Sequence, residues 1–390
     1  SCLEKFNGMF AIAIVDHEKE EIFLARDRIG IKPLYYWHDK NVFGFGSELK
    51  SLTALQDFDR TICHRAFMQY LQWQYVPAPL SIYENTFKLP QGSYAIYKKG
   101  QIQVKEWWNP ADFFNKPKFE LSNEELIVQA EKLLQSSVRY RMISDVPVGC
   151  FLSGGIDSSL VAATMASLSK NKIKTFSIGV NHQELNEAQY AKEIAKYLGT
   201  EHYEQYISES DLTSLIPQLS YYWDEPFSDS SALPTMLVSK LARQHVTVSL
   251  SGDGGDELFC GYYRYGWMEQ LNRIGKIPIA RGLASSLLKS NIFDFLGIGS
   301  ARRLKKAGAT LSWKKVEDQY RCLSNIWYQG HLEKLLSKPV STNNPTKGVF
   351  ELEGSLVEKL MLAEKQKLYL IIASSDYIYG TNYQFCHGYL

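Results

Sequence analysis

Two short stretches of this sequence concentrate the residue types that hold phosphate and hard cations. The first, Ser153-Gly154-Gly155-Ile156-Asp157-Ser158-Ser159, follows an apolar run at 146–152 and opens a helical pattern over 158–169. Glycines let a backbone approach an anion closely, consecutive N–H groups form a concave nest, and a helix N-terminus adds favourable partial charge. Ser153, Ser158 and Ser159 offer hydroxyls. Asp157 would repel a phosphate unless a bridging Mg²⁺ took carboxylate and phosphate oxygens together. A tight turn with Asp157 or Ser158 as an ordinary N-cap accounts for the same letters. The phosphate-loop pattern G-x-x-x-x-G-K-S/T does not occur here, so the stretch is not built for γ-phosphoryl transfer.

The second stretch is Ser251-Gly252-Asp253-Gly254-Gly255-Asp256-Glu257, again directly after a buried-type strand at 246–250. Its carboxylates, Asp253, Asp256 and Glu257, repel one another unless water or a cation neutralises them. Alone it reads as a solvated acidic turn. Paired with the first, it reads differently: ligands of open α/β sheets bind beyond the carboxyl ends of the strands, so two such loops can face one crevice.

The elements that must position these loops are legible around them. Residues 10–15, 22–25, 34–37 and 42–46 are short β-type runs separated by turns at 16–20 and 38–41, which predicts an antiparallel meander following strand-like sequence at the start of the chain. Pro77, Pro79, Pro90 and Gly92 break regularity, and 94–97 with 101–107 form a hairpin closed on Lys98-Lys99-Gly100. A linker is expected around 109–117. Ser122-Asn123-Glu124-Glu125 is a capping box opening an amphipathic helix over 124–141, with Leu126, Ile127, Ala130, Leu133, Leu134 and Val138 at helical spacing. Strand 146–152, helix 158–169, strand 174–179, helix 187–198, a further long helical pattern and strand 246–250 follow. Strands alternating with helices pair in parallel through right-handed crossovers, so this part is a doubly wound α/β domain. From Met268 onward the pattern is helical.

Composition excludes several classes. A chain of 390 residues exceeds what one core usually fills, so two domains are expected. With 43 basic and 42 acidic residues there is no summed positive field to draw nucleic acid or an anionic membrane. The six cysteines form no C-x-x-C pair, which suits a reducing cytoplasm and argues against zinc, redox or disulfide roles. No apolar run approaches the roughly 18 residues of a spanning helix, and no secretory leader is seen, so a cytoplasmic protein is expected. The eight histidines show no H-E-x-x-H spacing, so no metal beyond magnesium is assigned.

Together these residues resemble a known family. The loop at 153–159 is similar to the pyrophosphate-binding motif of the ATP pyrophosphatases. Phe151-Leu152, Phe176-Ser177-Ile178-Gly179, Asp224-Glu225-Pro226-Phe227 and 251–257 with Gly261-Tyr262 resemble the glutamine-hydrolysing asparagine synthetases. Phe6-Asn7-Gly8-Met9-Phe10-Ala11 and Arg26-Asp27-Arg28-Ile29-Gly30-Ile31-Lys32-Pro33-Leu34-Tyr35 resemble the later half of that family's glutaminase, a class II amidotransferase domain. The similarity runs in order from about residue 6 to about residue 370.

The resemblance implies an α/β fold: the remnant of an αββα N-terminal-nucleophile hydrolase domain over 1–115, then a doubly wound parallel-sheet ATP-pyrophosphatase domain with a helical C-terminal part over 116–390. It implies that Leu152, Ser153, Ile178, Ser251 and Gly252 hold the adenosine part of ATP, and that Gly154, Gly155, Ser158 and Ser159 cradle pyrophosphate. Asp157 and Asp256 match Mg²⁺ ligands. Asp253 stands where many members have Glu, an acid of the amide-forming step, and is one methylene shorter. The implied reaction joins aspartate, ATP and ammonia drawn from glutamine into asparagine, AMP and pyrophosphate through an acyl-adenylate. The oligomeric state is not legible in the sequence, and a homodimer stays one open assembly.

The chain is expected to begin inside its first domain, without the family's nucleophilic cysteine. Cys2 is read as a small buried residue. Residues 371–390 lack the family's basic residue and Asp-Arg pair, and a truncated or frameshifted tail is expected there. Glutaminase activity is therefore not expected of this chain alone. A related amidotransferase acting on another carboxylate, such as a sugar uronate, and a degenerate non-catalytic ATP-binding chain both stay open. The Arg26-Asp27-Arg28 cluster is read as a structural ion-pair network, and Trp107 and Trp108 as core or interface aromatics.

Overall fold

The computed structural model describes residues 2–39, 42–113, 116–117, 119–181, 186–275, 278–290 and 301–326. In chain order the first elements are α1 (Cys2–Lys5), β1 (Ala11–Asp16), β2 (Glu21–Arg26), β3 (Tyr35–Asp39), β4 (Val42–Gly46), α2 (Leu49–Thr53), α3 (His64–Trp73), β5 (Thr86–Lys88), β6 (Ser93–Lys98) and β7 (Gln101–Glu106). Next come α4 (Asn123–Met142), β8 (Val148–Phe151), α5 (Ile156–Leu168), β9 (Lys174–Val180), α6 (Ala188–Leu198), β10 (Glu201–Ile207), α7 (Glu209–Leu215), α8 (Leu219–Tyr222), α9 (Ala232–Arg243) and β11 (Val248–Leu250). The last are α10 (Gly255–Phe259), α11 (Tyr263–Gly275), α12 (Pro278–Lys289), α13 (Ala301–Leu311) and α14 (Val316–Ser324). The expected tail at 371–390 lies outside the described residues.

The chain divides into two compact units. One takes the described residues up to 113, Glu225–Phe227 and the described residues from Asp256 onward; the other takes the rest.

In the first unit, two antiparallel sheets are formed, with orders β1-β2-β6-β7 and β4-β3-β5. The expected single meander is therefore split: β2 pairs with β6, Ala25 opposite Tyr94, while β3 pairs with β4 and β5. Strand alternation explains the layering. Leu24, Tyr36 and Ala95 join one buried cluster with Phe43, Phe87 and Ile102, drawn from both sheets. Tyr35 and Trp37, on the opposite face of β3, join Leu49, Leu52 and Ala66 of the helical layer. Sheet, sheet and helix are three successive layers of the expected hydrolase remnant. The start of the chain is the helix α1 rather than a strand, with Leu3 its buried residue.

In the second unit, the sheet is parallel, ordered β10-β9-β8-β11. Leu152 and Cys150 face a core shared with Val138 of α4, Met165 of α5 and Ala191 of α6. Phe176 faces the other way, toward Ala242 of α9 and Val246. Helices on both faces make the sheet doubly wound, as the sequence predicts. The strand β10 was not anticipated, and α7 to α9 break the expected long helix. The capping box of α4 is present: Ser122 Oγ accepts from Glu125 N at 3.2 Å, and Ser122 N donates to Glu125 Oε2 at 2.8 Å. Of the apolar residues of α4, Val138 is buried, whereas Ile127 and Leu133 are exposed.

Candidate functional site

Strand order places both loops together. From β8 the chain moves outward through β9 to β10, then returns to add β11 on the opposite side of β8, with Leu250 opposite Cys150. The direction of winding reverses between β8 and β11, and crevices of open α/β sheets form at such points. The two glycine-rich stretches leave the carboxyl ends of these two strands.

The loops meet backbone to backbone. A β-carbon on Gly252 would lie 2.5 Å from Ser158 N and 2.9 Å from the Asp157 carbonyl carbon, and one on Gly255 would lie 2.3 Å from Asp157 Cγ. Real side chains do not fit there. Gly154 is required twice over: its φ is +88°, and a β-carbon would stand 2.9 Å from Ala191 N of α6.

Hydroxyls organise the first loop internally. Ser153 Oγ and Ser158 Oγ are 2.9 Å apart, Gly155 N donates to Ser153 Oγ at 3.2 Å, and Ser159 Oγ donates to Gly155 O at 2.6 Å. None of these serines caps α5. That helix begins on Gly155 with no side-chain cap, whereas α4 and α7 in the same unit both carry a capping box. Thirteen residues of aligned peptide dipoles thus end at Gly155, which is exposed along with Ser153 and Ile156, while Ser158 is buried. An open, uncapped, glycine-walled helix start suits a phosphate chain.

The two aspartates read from the sequence as cation ligands are each accessible. Asp157 is half-buried in the first turn of α5, beside the first loop, and Asp256, within its own unit, is half-buried in the first turn of α10. Both are carboxylates, the hard oxygen ligands that magnesium takes beside phosphate oxygens. Among the described residues no three His, Cys, Asp or Glu side chains cluster as a metal site.

The remaining predicted residues are placed as follows. Asp253 is exposed and accepts from Ser251 Oγ. Gly254, at φ +90°, lets the second loop turn. The Leu152 side chain is core, so it meets a ligand only through its backbone. Ile178 is half-buried near the end of β9. The sequence reading names Ser177 within the motif at 176–179 but gives it no role; its buried Oγ donates to Leu152 O and fastens the strand end just before the loop, and an alternating small polar residue on a buried strand was the available signal. Cys150 beside the loop is inert, because burial pushes its thiol up to about 12.

One reading changes, and the structural reading of the Arg26-Asp27-Arg28 cluster gains its partners. Cys2 is exposed rather than buried, because Leu3 is the residue that α1 turns inward. Arg26, Asp27 and Arg28 bond to the backbone. Arg26 donates to the carbonyls of Lys32, Leu89 and Gly30, Asp27 accepts from the N–H groups of Phe10, Ile31 and Lys32, and Arg28 donates to Phe6 O and to Glu4 O at 2.6 Å. Trp107 is half-buried and donates to Arg26 O at 3.2 Å.

Comparison with known proteins identifies the family. A family model described as asparagine synthase matches residues 129–350, and one described as a glutamine amidotransferase domain matches residues 1–108. A provisionally named glutamine-hydrolyzing asparagine synthetase 2 of Methanocaldococcus jannaschii is 41% identical over 311 residues, covering 78% of this chain and 59% of that protein. The glutamine-hydrolyzing asparagine synthetase 1 of Bacillus subtilis is 38% identical over 285 residues, 73% of this chain and 44% of its own length. The chain thus spans 59% of the first relative and 44% of the second. With the synthase match covering more than half of the residues, and two glycine-walled loops meeting at the switch point of its parallel sheet, the chain belongs to the asparagine synthase family.

Proposed function

We propose that this chain carries an ATP-dependent, AMP-forming amide synthetase that converts aspartate, ATP and ammonia, drawn in the whole protein from glutamine, into asparagine, AMP and pyrophosphate. The observation that supports it best is the uncapped start of α5 against the glycines of the second loop.

In this reading the N–H groups of the first loop and of the α5 start hold the β- and γ-phosphates, with Ser158 and Ser159 as hydroxyl donors. Ser153, Leu152, Ile178, Ser251 and Gly252 hold the adenosine part. Asp157 and Asp256 are the residues that would hold Mg²⁺, which would supply positive charge beside the leaving pyrophosphate. The substrate carboxylate attacks the α-phosphorus to give an acyl-adenylate, and ammonia then displaces AMP. Asp253 is assigned to that second step, reaching one methylene less far than glutamate. The domain division proposed is 1–115 for the amidotransferase part and 116–390 for the synthetase part. A homodimer in the cytoplasm completes the reading.

The test is pyrophosphate release from ATP with Mg²⁺ and aspartate, supplied first with ammonia and then with glutamine, beside an Asp157→Ala control. Release with ammonia and not with glutamine, lost in the control, is expected. ATP binding with no release under either donor would overturn the assignment of aspartate.

A further inference from the structure

Resting on that reading, we infer that Tyr262 and Glu257 are positioning residues, locking the turn that seats the Asp256 carboxylate for its cation. The helix α10 is short and stops at Cys260, a non-glycine residue at φ +58°. The chain then folds back on the helix it has just left. Gly261 N donates to Asp256 O at 2.9 Å. A β-carbon on Gly261 would stand 1.9 Å from Asp256 Oδ1, so the carboxylate leans directly on the Gly261 backbone. Whatever fixes the turn fixes that carboxylate.

One bond spans the turn. Tyr262 Oη donates to Glu257 Oε1 at 2.7 Å, linking the residue after Asp256 to the residue after Gly261. Glu257 is only 5% exposed, and a buried carboxylate is costly unless its oxygens are bonded. The guanidinium of Arg264 lies 4.5 Å over the Tyr262 ring, adding positive charge to the cluster. Burial and the Glu257 bond both push the Tyr262 phenol up, so it stays a donor at any working pH. Glu257 is an expensive residue for merely filling space. Its partner directly follows Gly261, whose backbone touches the Asp256 carboxylate.

The test is a titration of Mn²⁺ into the full chain with saturating ATP, read by electron paramagnetic resonance, beside ATP binding without metal and thermal melting. Tyr262→Phe keeps the ring and removes the bond. Half-saturating Mn²⁺ is expected to rise about fivefold, the worth of one hydrogen bond, with metal-free ATP affinity unchanged and the melting temperature lowered by the loss of a donor to a buried carboxylate. Glu257→Gln keeps an acceptor for Tyr262 and is expected to bind Mn²⁺ like the wild type. Tyr262→Phe binding Mn²⁺ as the wild type does, or losing metal-free ATP affinity in equal measure, would overturn the positioning role alone. A wild-type chain that takes up neither ATP nor Mn²⁺ would overturn the proposed function and this inference with it.

Discussion

Gly255 stands so close to Asp157 that a β-carbon on it would lie 2.6 Å from one carboxylate oxygen and 2.7 Å from the other. The absence of one side chain in the second loop thereby fixes the position of a carboxylate in the first. Gly255→Ala must displace Asp157 or push the loops apart. Overpacking of this kind costs about 1–3 kcal/mol. Melting temperature is expected to fall modestly, and ATP-dependent pyrophosphate release by on the order of tenfold or more. Unchanged release would separate Asp157 from the chemistry.

Ser158 ties the first loop together, accepting from Ser153 N at 3.2 Å and donating to Gly155 O at 3.3 Å from a buried position. Ser158→Ala leaves the Ser153 N–H without that acceptor, at about 1–2 kcal/mol. ATP affinity, measured by calorimetry, should weaken more than the melting temperature falls. Equal affinity for ATP in the variant would show that the loop does not depend on this hydroxyl.

Within the first unit, Lys88 Nζ lies 2.5 Å from Glu225 Oε2, with the two side chains 15% and 9% exposed. Glu225 Oε1 also accepts from Ile82 N at 2.8 Å. Breaking such a pair on one side strands a buried charge, at about 3–5 kcal/mol. Lys88→Met alone should therefore destabilise more than Lys88→Met with Glu225→Gln, since glutamine still accepts from Ile82. Chemical denaturation of both variants checks the order, and a double variant no more stable than the single one contradicts it.

His202 offers a pH dependence. Its Nδ1 lies 2.9 Å from Thr175 Oγ1, and its Nε2 is 4.0 Å from Glu204 Oε2. Burial holds its pKa below the ordinary histidine value of 6.5, outweighing the opposing pull of Glu204, and Lys192 adds to the depression. The unfolded chain thus binds the proton more readily. Stability from the neutral ring is full above about pH 6.5 and is lost as pH falls through the lower folded-state value. Denaturation midpoints should drop on acidification through this range, and His202→Gln should flatten the drop. A parallel pH profile in the variant would assign the effect elsewhere.

The parts of the fold read most directly from sequence are those with local signals. The α4 capping box, the hairpin on Lys98-Lys99-Gly100 and the strand-loop-helix at residues 148–168 each lie within a few residues of the letters that specify them. The splitting of the early strands between two sheets does not, because Ala25 finds its partner at Tyr94. The strand β10 escaped because it is an edge. Its sequence, Glu-His-Tyr-Glu-Gln-Tyr-Ile, keeps a fully buried residue only at Ile207, so no apolar alternation marks it. At the site, the loops were visible but their contact was not: nothing near Gly255 in the sequence names Asp157 as its neighbour. Likewise Glu257 reads as one more acid in an acidic turn until Tyr262 is seen to bond to it.

The strand order β10-β9-β8-β11 has a consequence for how the molecule is made. Cys150 leaves the ribosome one hundred residues ahead of its partner Leu250. At typical synthesis speeds of roughly 5–20 residues per second, one side of β8 waits several seconds with its backbone groups unpaired. Closing so long a loop is slow in itself, and an open central strand is a template for pairing with another nascent chain. The crevice between the two glycine-rich loops is therefore completed only when β11 docks, so a chain halted before Val248 would keep the first loop and have nothing to set against it.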